Sequence, residues 1–195
     1  MIELKTDEEE YDEHGIDQCI CDARSFAQCG NYDLAISALY NVLNRKSTPK
    51  QRITACKILS LCYRKTEQYS LALLHINKAI SINSAEQPSE EAKEEKAICL
   101  MNKGVVYEEL GRMSDAIACY QPAVHTILEL FEKRQDSHGI IINALITLGT
   151  CYEKIGKNNM AYEIYKECLK YFHEGAENDR RYHALIHAIN KYETG

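Results

Sequence analysis

The chain has 195 residues and a formal net charge of −6, and its composition is 45% hydrophobic with no tryptophan and three prolines. This length allows one or two ordinary domains, and the scarcity of proline favours helices. Because no run of eighteen apolar residues and no secretory or transit leader is present, we expect a soluble, cytoplasmic protein with no membrane partner.

The first fourteen residues differ in charge from the rest of the chain. Residues 1–14 carry seven acidic side chains and one lysine, while residues 15–195 carry equal numbers of acids and bases. We interpret them as a solvated acidic segment before a helical domain of residues 15–195; a docking segment for a basic partner is the alternative. With no basic field in either part, we expect no binding to nucleic acid.

One spacing of residues recurs four times along the chain. An aromatic residue is followed four positions later by glycine, or in one case by glutamate, then by alanine five positions after that, and by an aromatic or aliphatic residue after four more. The four occurrences are Phe26–Gly30–Ala35–Leu39, Tyr63–Glu67–Ala72–Ile76, Tyr107–Gly111–Ala116–Tyr120 and Tyr152–Gly156–Ala161–Tyr165. The alanines lie 37, 44 and 45 residues apart. Periods of this size are typical of stacked structural repeats.

Apolar residues at intervals of three and four predict two amphipathic helices in each repeat. The predicted units are residues 16–47, 48–84, 89–135 and 138–173, followed by a single closing helix over 178–192 with a polar outer face. The glycines of the recurring spacing suit the C-terminal ends of first helices, and Glu67 should fit that place at some energetic cost.

Further signals refine the ends and the shape of these helices. Thr48, Pro49 and Gln51 form a capping box that should open the second unit, and Ser89 should cap the third. The second helix of the third unit should run from about residue 114 to 134. Pro122 lies in its interior, so we expect a kink there.

The sequence contains little that suggests catalysis. The nine cysteines form no Cys-x-x-Cys pair, and we interpret them as reduced thiols packed in the core. No phosphate-binding glycine loop or serine elbow is present. We therefore predict no catalytic residue, no metal and no cofactor. The alternative is a thiol- or metal-dependent enzyme that uses His183 and His187, which lie four residues apart on the closing helix.

The helix pairs resemble tetratricopeptide repeats over about residues 15–173. Small residues stand at the family's positions 8 and 20, which are Ala23, Ser60, Gly104 and Gly149, and Ala35, Ala72, Ala116 and Ala161. The units exceed the usual length of about 34 residues and lack the family's closing proline. In unit length they are similar to the repeats of kinesin light chains and spindle-orientation adaptors. The resemblance implies an all-α, right-handed helical solenoid of about four helix pairs plus a C-terminal capping helix.

The resemblance also implies a non-enzymatic adaptor that binds a protein or peptide segment in a concave groove lined by the first helices. The groove residues that it predicts are Ile20, Arg24, Lys57, Ile58, Leu61, Arg64, Ile98, Met101, Asn102, Val105, Asn143, Ile146 and Thr150. The apolar members suggest a bound apolar segment, unless neighbouring helices bury them. The asparagines suit the backbone of an extended peptide. The alternative is a structural subunit of a multiprotein complex, docked through its convex face.

Overall fold

The computed structural model of the protein describes residues 13–131, 138–173 and 175–193. These residues form nine α-helices and one short 3-10 helix, and they contain no strand. The helices are α1 Glu13–Gln28, α2 Tyr32–Asn44, α3 Pro49–Lys65, α4 Tyr69–Ala85, α5 Glu90–Glu109, α6 Met113–Phe131, α7 His138–Lys154, α8 Asn158–Leu169 and α9 Arg180–Glu193, with the 3-10 helix at Ala176–Asn178. The prediction of an all-α chain with four helix pairs and a closing helix is confirmed.

Two of the sequence predictions fall partly on residues outside this description. Residues 1–12 of the acidic segment lie outside the described residues, as do residues 132–137, where the second helix of the third unit was expected to end. The chain divides into two compact units, Met1–Ile82 and Asn83–Gly195, and the boundary falls near the end of α4.

The same turn joins the two helices of every pair, and it explains the recurring spacing. In the third pair the backbone N–H of Gly111 donates to the carbonyl of Glu108, and that of Arg112 donates to the carbonyl of Tyr107 at 2.8 Å. This pattern is a Schellman motif, which needs a left-handed residue four positions after the aromatic residue. Gly111 has φ +71°, and Glu67 takes the same conformation at φ +59°.

The predicted N-terminal caps of α3 and α5 are confirmed. The hydroxyl of Thr48 accepts the backbone N–H of Gln51 at 3.2 Å, and the side chain of Gln51 accepts the backbone N–H of Thr48 at 2.9 Å. The hydroxyl of Ser89 accepts the backbone N–H of Ala92 at 3.0 Å, and two glutamates follow it in the first turn of α5. These bonds satisfy N–H groups that a helix start leaves without a backbone partner.

The core of the first unit consists of aliphatic side chains, alanines and two cysteines from all four helices. Its most buried members are Ile16, Ala23, Ala35, Leu39, Val42, Ala55, Cys56, Leu59, Cys62, Ala72, Ile76 and Ala79. The amide of Gln51 donates to a carboxylate oxygen of Asp17 at 2.9 Å and thereby joins the starts of α3 and α1.

One imidazole is buried beside this core. The ring of His75 on α4 stacks on Tyr63 of α3, with centroids 5.4 Å apart, and its Nε2 lies 3.1 Å from the hydroxyl of Tyr40 on α2. Since three helices contribute to this cluster, it fixes the first unit from within.

Glycines and tyrosines pack the second unit. Gly104 on α5 lies beneath the ring of Tyr120 on α6, and a Cβ added to it would come within 2.3 Å of the ring. Gly149 and Tyr165 repeat this contact between α7 and α8. Small residues at these positions therefore make room for a large aromatic side chain on the partner helix. Leu185 and Ile189 of α9 join the same core.

Pro122 lies inside a continuous helix. Helix α6 continues from Met113 to Phe131 with the exposed Pro122 inside it, so the proline does not end the helix; the kink stays a prediction.

All nine cysteines are free thiols, and six of them are buried. Cys21 and Cys29 are exposed and Cys19 is half-buried, so the core interpretation fails for these three.

Candidate partner-binding surface

The most extensive partly exposed face among the predicted residues lies on the first helices of the second unit. On α5, Ile98, Met101, Asn102 and Val105 recur at the spacing of one helix face; Ile98 is 38% exposed, Asn102 is exposed, and the other two are half-buried. On α7, Ile146 and Thr150 are half-buried. We call this set of six residues the first-helix face of the second unit. It combines apolar area with an exposed amide.

Side chains of α7 on or next to this face hold bonds within the molecule. The Oδ1 atom of Asn143 accepts from Nη1 of Arg181 on α9 at 2.9 Å. The hydroxyl of Thr150 donates to the carbonyl of Thr147 at 2.9 Å, and that of Thr147 donates to the carbonyl of Asn143 at 2.8 Å. Asn143 therefore orients α9 as well as being exposed, which sequence reasoning did not anticipate.

In the first unit the predicted groove residues are divided between surface and core. Leu61 on α3 is 39% exposed, and Arg24 on α1 is exposed. Lys57 and Arg64 lie four residues before and three after Leu61, on the same side of α3, and both are half-buried. Ile20 and Ile58 are buried in the core. The expectation that these two isoleucines line a surface needs correction, because neighbouring helices cover them.

Hydrogen bonds, two of them partly buried, also fix two acidic side chains of the second unit. Glu108 accepts from the hydroxyl of Tyr120 at 3.0 Å and pairs with Lys154 of α7. One repeat later, Glu153 accepts from the hydroxyl of Tyr165 at 3.1 Å and pairs with Lys191 of α9 at 3.4 Å. The two arrangements have the same residue types, so α9 contacts the fourth pair as α7 contacts the third.

The bonds of Glu108 shift its own pKa and that of Tyr120. Burial alone would raise the pKa of Glu108, but the hydrogen bonds from Lys154 and Tyr120 outweigh it and hold this pKa below the ordinary value of 4.5. Burial, together with the charge of Glu108, raises the pKa of Tyr120. Glu108 is therefore an ionised group that is engaged within the fold.

The groups considered for catalysis do not converge. His183 and His187 are exposed on α9, and the Nε2 atom of His183 lies 2.6 Å from the carbonyl of Glu177. Within the described ranges, no three histidine, cysteine or acidic side chains come together in a group that fits a metal ion. Burial raises the pKa of the thiols of Cys62 and Cys151 to about 11. These two thiols are protonated at neutral pH and are poor nucleophiles.

Sequence reasoning missed a second exposed apolar surface. Leu34 on α2 is 55% exposed, Leu74 on α4 is 58% exposed, and Leu71 is exposed one turn before Leu74. We call these three leucines the second-helix face of the first unit. Leu34 and Leu71 directly precede the buried alanines Ala35 and Ala72, and Leu74 lies two residues after Ala72. These offsets from the alanines could have identified the three leucines as exposed.

Known proteins share this fold and part of this sequence. The family model described as tetratricopeptide repeat matches residues 97–124 and 142–172, which cover most of the third and fourth helix pairs. The chain contains tetratricopeptide repeats in these two segments. Such repeats generally serve protein–protein interaction rather than catalysis. No curated protein matches this chain.

Several solved structures have the same arrangement of repeats. BtubC from P. vanneervenii superposes with a TM-score of 0.71 at 18% identity, over 91% of this chain and 74% of that chain. A putative kinesin light chain with TPR-like repeats from Podosopora anserina gives 0.71 at 17% identity, over 90% and 84% of the two chains. At these identities the likeness shows the fold alone.

A third similar structure contains a bound peptide. The Rap conjugation gene regulator of plasmid pLS20, in complex with the Phr* peptide, gives a TM-score of 0.62 at 16% identity. The match covers 91% of this chain but only 47% of the regulator, so this chain spans about half of that protein.

A membrane span requires a helix that is both long and apolar. None of the helices in the described part of the chain combines the length and the apolar character that crossing a membrane needs.

Proposed function

We propose that the protein is a non-enzymatic adaptor or scaffold that binds a segment of a protein partner on its first helices, as part of a multiprotein complex in the cytoplasm. The observation that carries this proposal is the first-helix face of the second unit. Partly exposed Ile98, Met101 and Val105 offer apolar area on one side of α5, where the exposed amide of Asn102 lies among them, and Ile146 adds apolar area on α7. An apolar surface with a central polar group suits a peptide that buries side chains and hydrogen-bonds through its backbone.

The first unit offers a separate surface on its own first helices. Leu61 is an exposed apolar side chain between two bases of α3, Lys57 and Arg64. A partner segment that presents an apolar residue would complement Leu61 on this stretch of α3. The Rap regulator, which has the same fold and holds a Phr* peptide, supports the proposal as an analogy.

One observation favours the alternative, a structural subunit that docks through its second helices. Leu34 and Leu74 are more exposed than any apolar residue of the first-helix face, and Leu74 has Leu71 as an exposed neighbour on α4. Contiguous exposed apolar area is typical of surfaces that another protein covers.

A pull-down from native extract with two matched variants separates these functions. The first-helix variant carries Leu61→Glu and Ile98→Glu, and the second-helix variant carries Leu34→Glu and Leu74→Glu. Each places two carboxylates at exposed apolar positions, so both should remain folded, which far-UV circular dichroism would verify. The proposal predicts that the first-helix variant loses a partner that wild type and the second-helix variant retain. Loss by the second-helix variant alone would establish the subunit function instead.

A further inference from the structure

A cavity lies in the second unit, apart from the first-helix face. It has a volume of about 350 Å³ and lies where α7 begins and where the chain turns from α8 into α9. Its lining includes His138, Ile142, Tyr171, Phe172, His173 and Arg181. A cavity of this size suits a small molecule or a single large side chain.

Aromatic rings form one wall of this cavity. The imidazoles of His138 and His173 stack with their centroids 4.9 Å apart, and the edge of Tyr171 meets His138 at 5.7 Å. The Nδ1 atom of His138 is buried and has no hydrogen-bond partner among the described residues. Since buried polar atoms are normally satisfied, this atom needs a partner from outside the described residues, and a bound ligand could supply it.

The charged groups of the cavity favour a negative ligand. Asp179, which also lines the cavity, accepts from Nε of Arg181 at 3.1 Å, from Nη2 at 2.6 Å and from the backbone N–H at 2.8 Å, so both its oxygens are engaged. Nη1 of Arg181 donates to Asn143. A guanidinium has five N–H donors, these bonds occupy three of them, and 40% of the Arg181 side chain stays exposed. Donors therefore remain, while Asp179, the carboxylate among the described lining residues, has its acceptors in use.

We propose that this cavity binds a single carboxylate carried on a small aromatic or aliphatic body. The guanidinium of Arg181 and the imidazole N–H groups of His138 and His173 would donate to the carboxylate. Ile142, Tyr171 and Phe172 would contact the apolar body. One guanidinium, already paired with Asp179, suits a single negative charge better than a doubly charged phosphate. None of the six residues of the first-helix face lines this cavity.

Three probes of one shape and different charge test the proposal. Benzoate, benzamide and benzamidine present the same ring with a negative, a neutral and a positive group. Each is titrated into the full chain while the ring signals of His138 and His173 are followed by NMR. We expect saturable shifts of both signals with benzoate and an affinity for benzamide that is about tenfold or more weaker, because a charge-assisted hydrogen bond is lost.

Two matched variants complete the test. His173→Phe keeps a ring at an exposed position and removes its N–H donor, so folding is not at stake, and His138 still reports binding. His187→Phe makes the same change on α9 at a residue that does not line the cavity. We expect weaker benzoate binding in the first variant and unchanged binding in the second. Equal affinity in both variants, stronger binding of benzamidine, or no saturable shift up to the solubility limit of benzoate would overturn the proposal.

Discussion

At Glu67 the backbone takes a conformation that favours glycine. Its φ of +59° corresponds to +80° at Gly30, +71° at Gly111 and +73° at Gly156, the residues that close the other three turns. A side chain in this region costs on the order of 1 kcal/mol, because its Cβ crowds the neighbouring backbone. The turn forms nevertheless, since the backbone N–H of Gln68 donates to the carbonyl of Tyr63 at 2.7 Å, as in the other turns.

Replacing Glu67 by glycine should therefore stabilise the protein. The relieved strain exceeds the extra freedom that glycine gives the unfolded chain, so we expect a gain of about 0.5–1 kcal/mol in the free energy of unfolding. Urea unfolding followed by circular dichroism measures this gain. Gly111→Ala is the matched control and should destabilise. A loss of stability in Glu67→Gly would contradict this expectation. It would show that the Glu67 side chain stabilises the fold by more than the strain of its left-handed backbone costs.

At Gly104, which packs against Tyr120, glycine is required, so replacing it should destabilise the protein. In Gly104→Ala the new Cβ would come within 2.3 Å of the tyrosine ring, and the resulting shift should cost about 1–3 kcal/mol of stability. Gly139→Ala on α7, where nothing lies within 4 Å of the new Cβ, should stabilise by up to about 1 kcal/mol through helix propensity. Thermal unfolding compares the two, and equal effects would contradict the close packing of Gly104.

At the scale of the helices, the link from Tyr120 to Glu108 to Lys154 ties α5, α6 and α7 together. Because the pKa of Glu108 is lowered in the folded protein, its contribution to stability is present above the ordinary value of 4.5 and is lost as the pH falls through the lowered value. Glu108→Gln should therefore be less stable than wild type at neutral pH. The difference should shrink toward about pH 3.

Urea midpoints measured across this pH range test the expectation for Glu108. Glu163→Gln, a change at an exposed residue of α8, serves as the control and should follow wild type. A stability difference between wild type and Glu108→Gln that stays constant down to the lowest pH would contradict the role of an ionised Glu108.

The cluster around His75 predicts acid sensitivity of the first unit. Burial, followed by the charge of Lys78, lowers the pKa of His75, which faces Tyr40 of α2 and Tyr63 of α3. The unfolded chain takes up this proton at the ordinary value of 6.5 and the folded protein resists it, so stability should decline as the pH falls below that value.

Urea unfolding of His75→Phe should show a flatter decline of stability between about pH 7 and pH 5.5 than wild type does. His187→Phe, which changes an exposed imidazole, should keep the full decline. If both variants follow wild type in this range, protonation of His75 does not limit the stability of the first unit.

On the scale of the whole molecule, local patterns predicted the repeats. The recurrence of an aromatic residue and glycine four apart reflects one Schellman bond, such as that from Arg112 to Tyr107, and Thr48 with Gln51 carried their cap in four consecutive residues. These features depend on neighbours in sequence, so the sequence alone specifies them.

The candidate surface was less predictable because it depends on contacts between distant residues. Ile20 and Ile58 lie on first helices like Leu61, yet neighbouring helices cover them and leave Leu61 exposed. The partner of Asn143 is Arg181, which lies 38 residues away. Such burial and pairing follow from how helices pack and not from the period of one helix.

Site-specific photo-crosslinking tests most directly whether the first helices bind the partner. A photoreactive amino acid replaces Asn102, exposed on α5, or Leu74, exposed on α4, and each protein is irradiated with the partner captured by the pull-down. We predict a crosslinked product from position 102 and none from position 74. A product from position 74 alone would contradict this account and assign binding to the second helices.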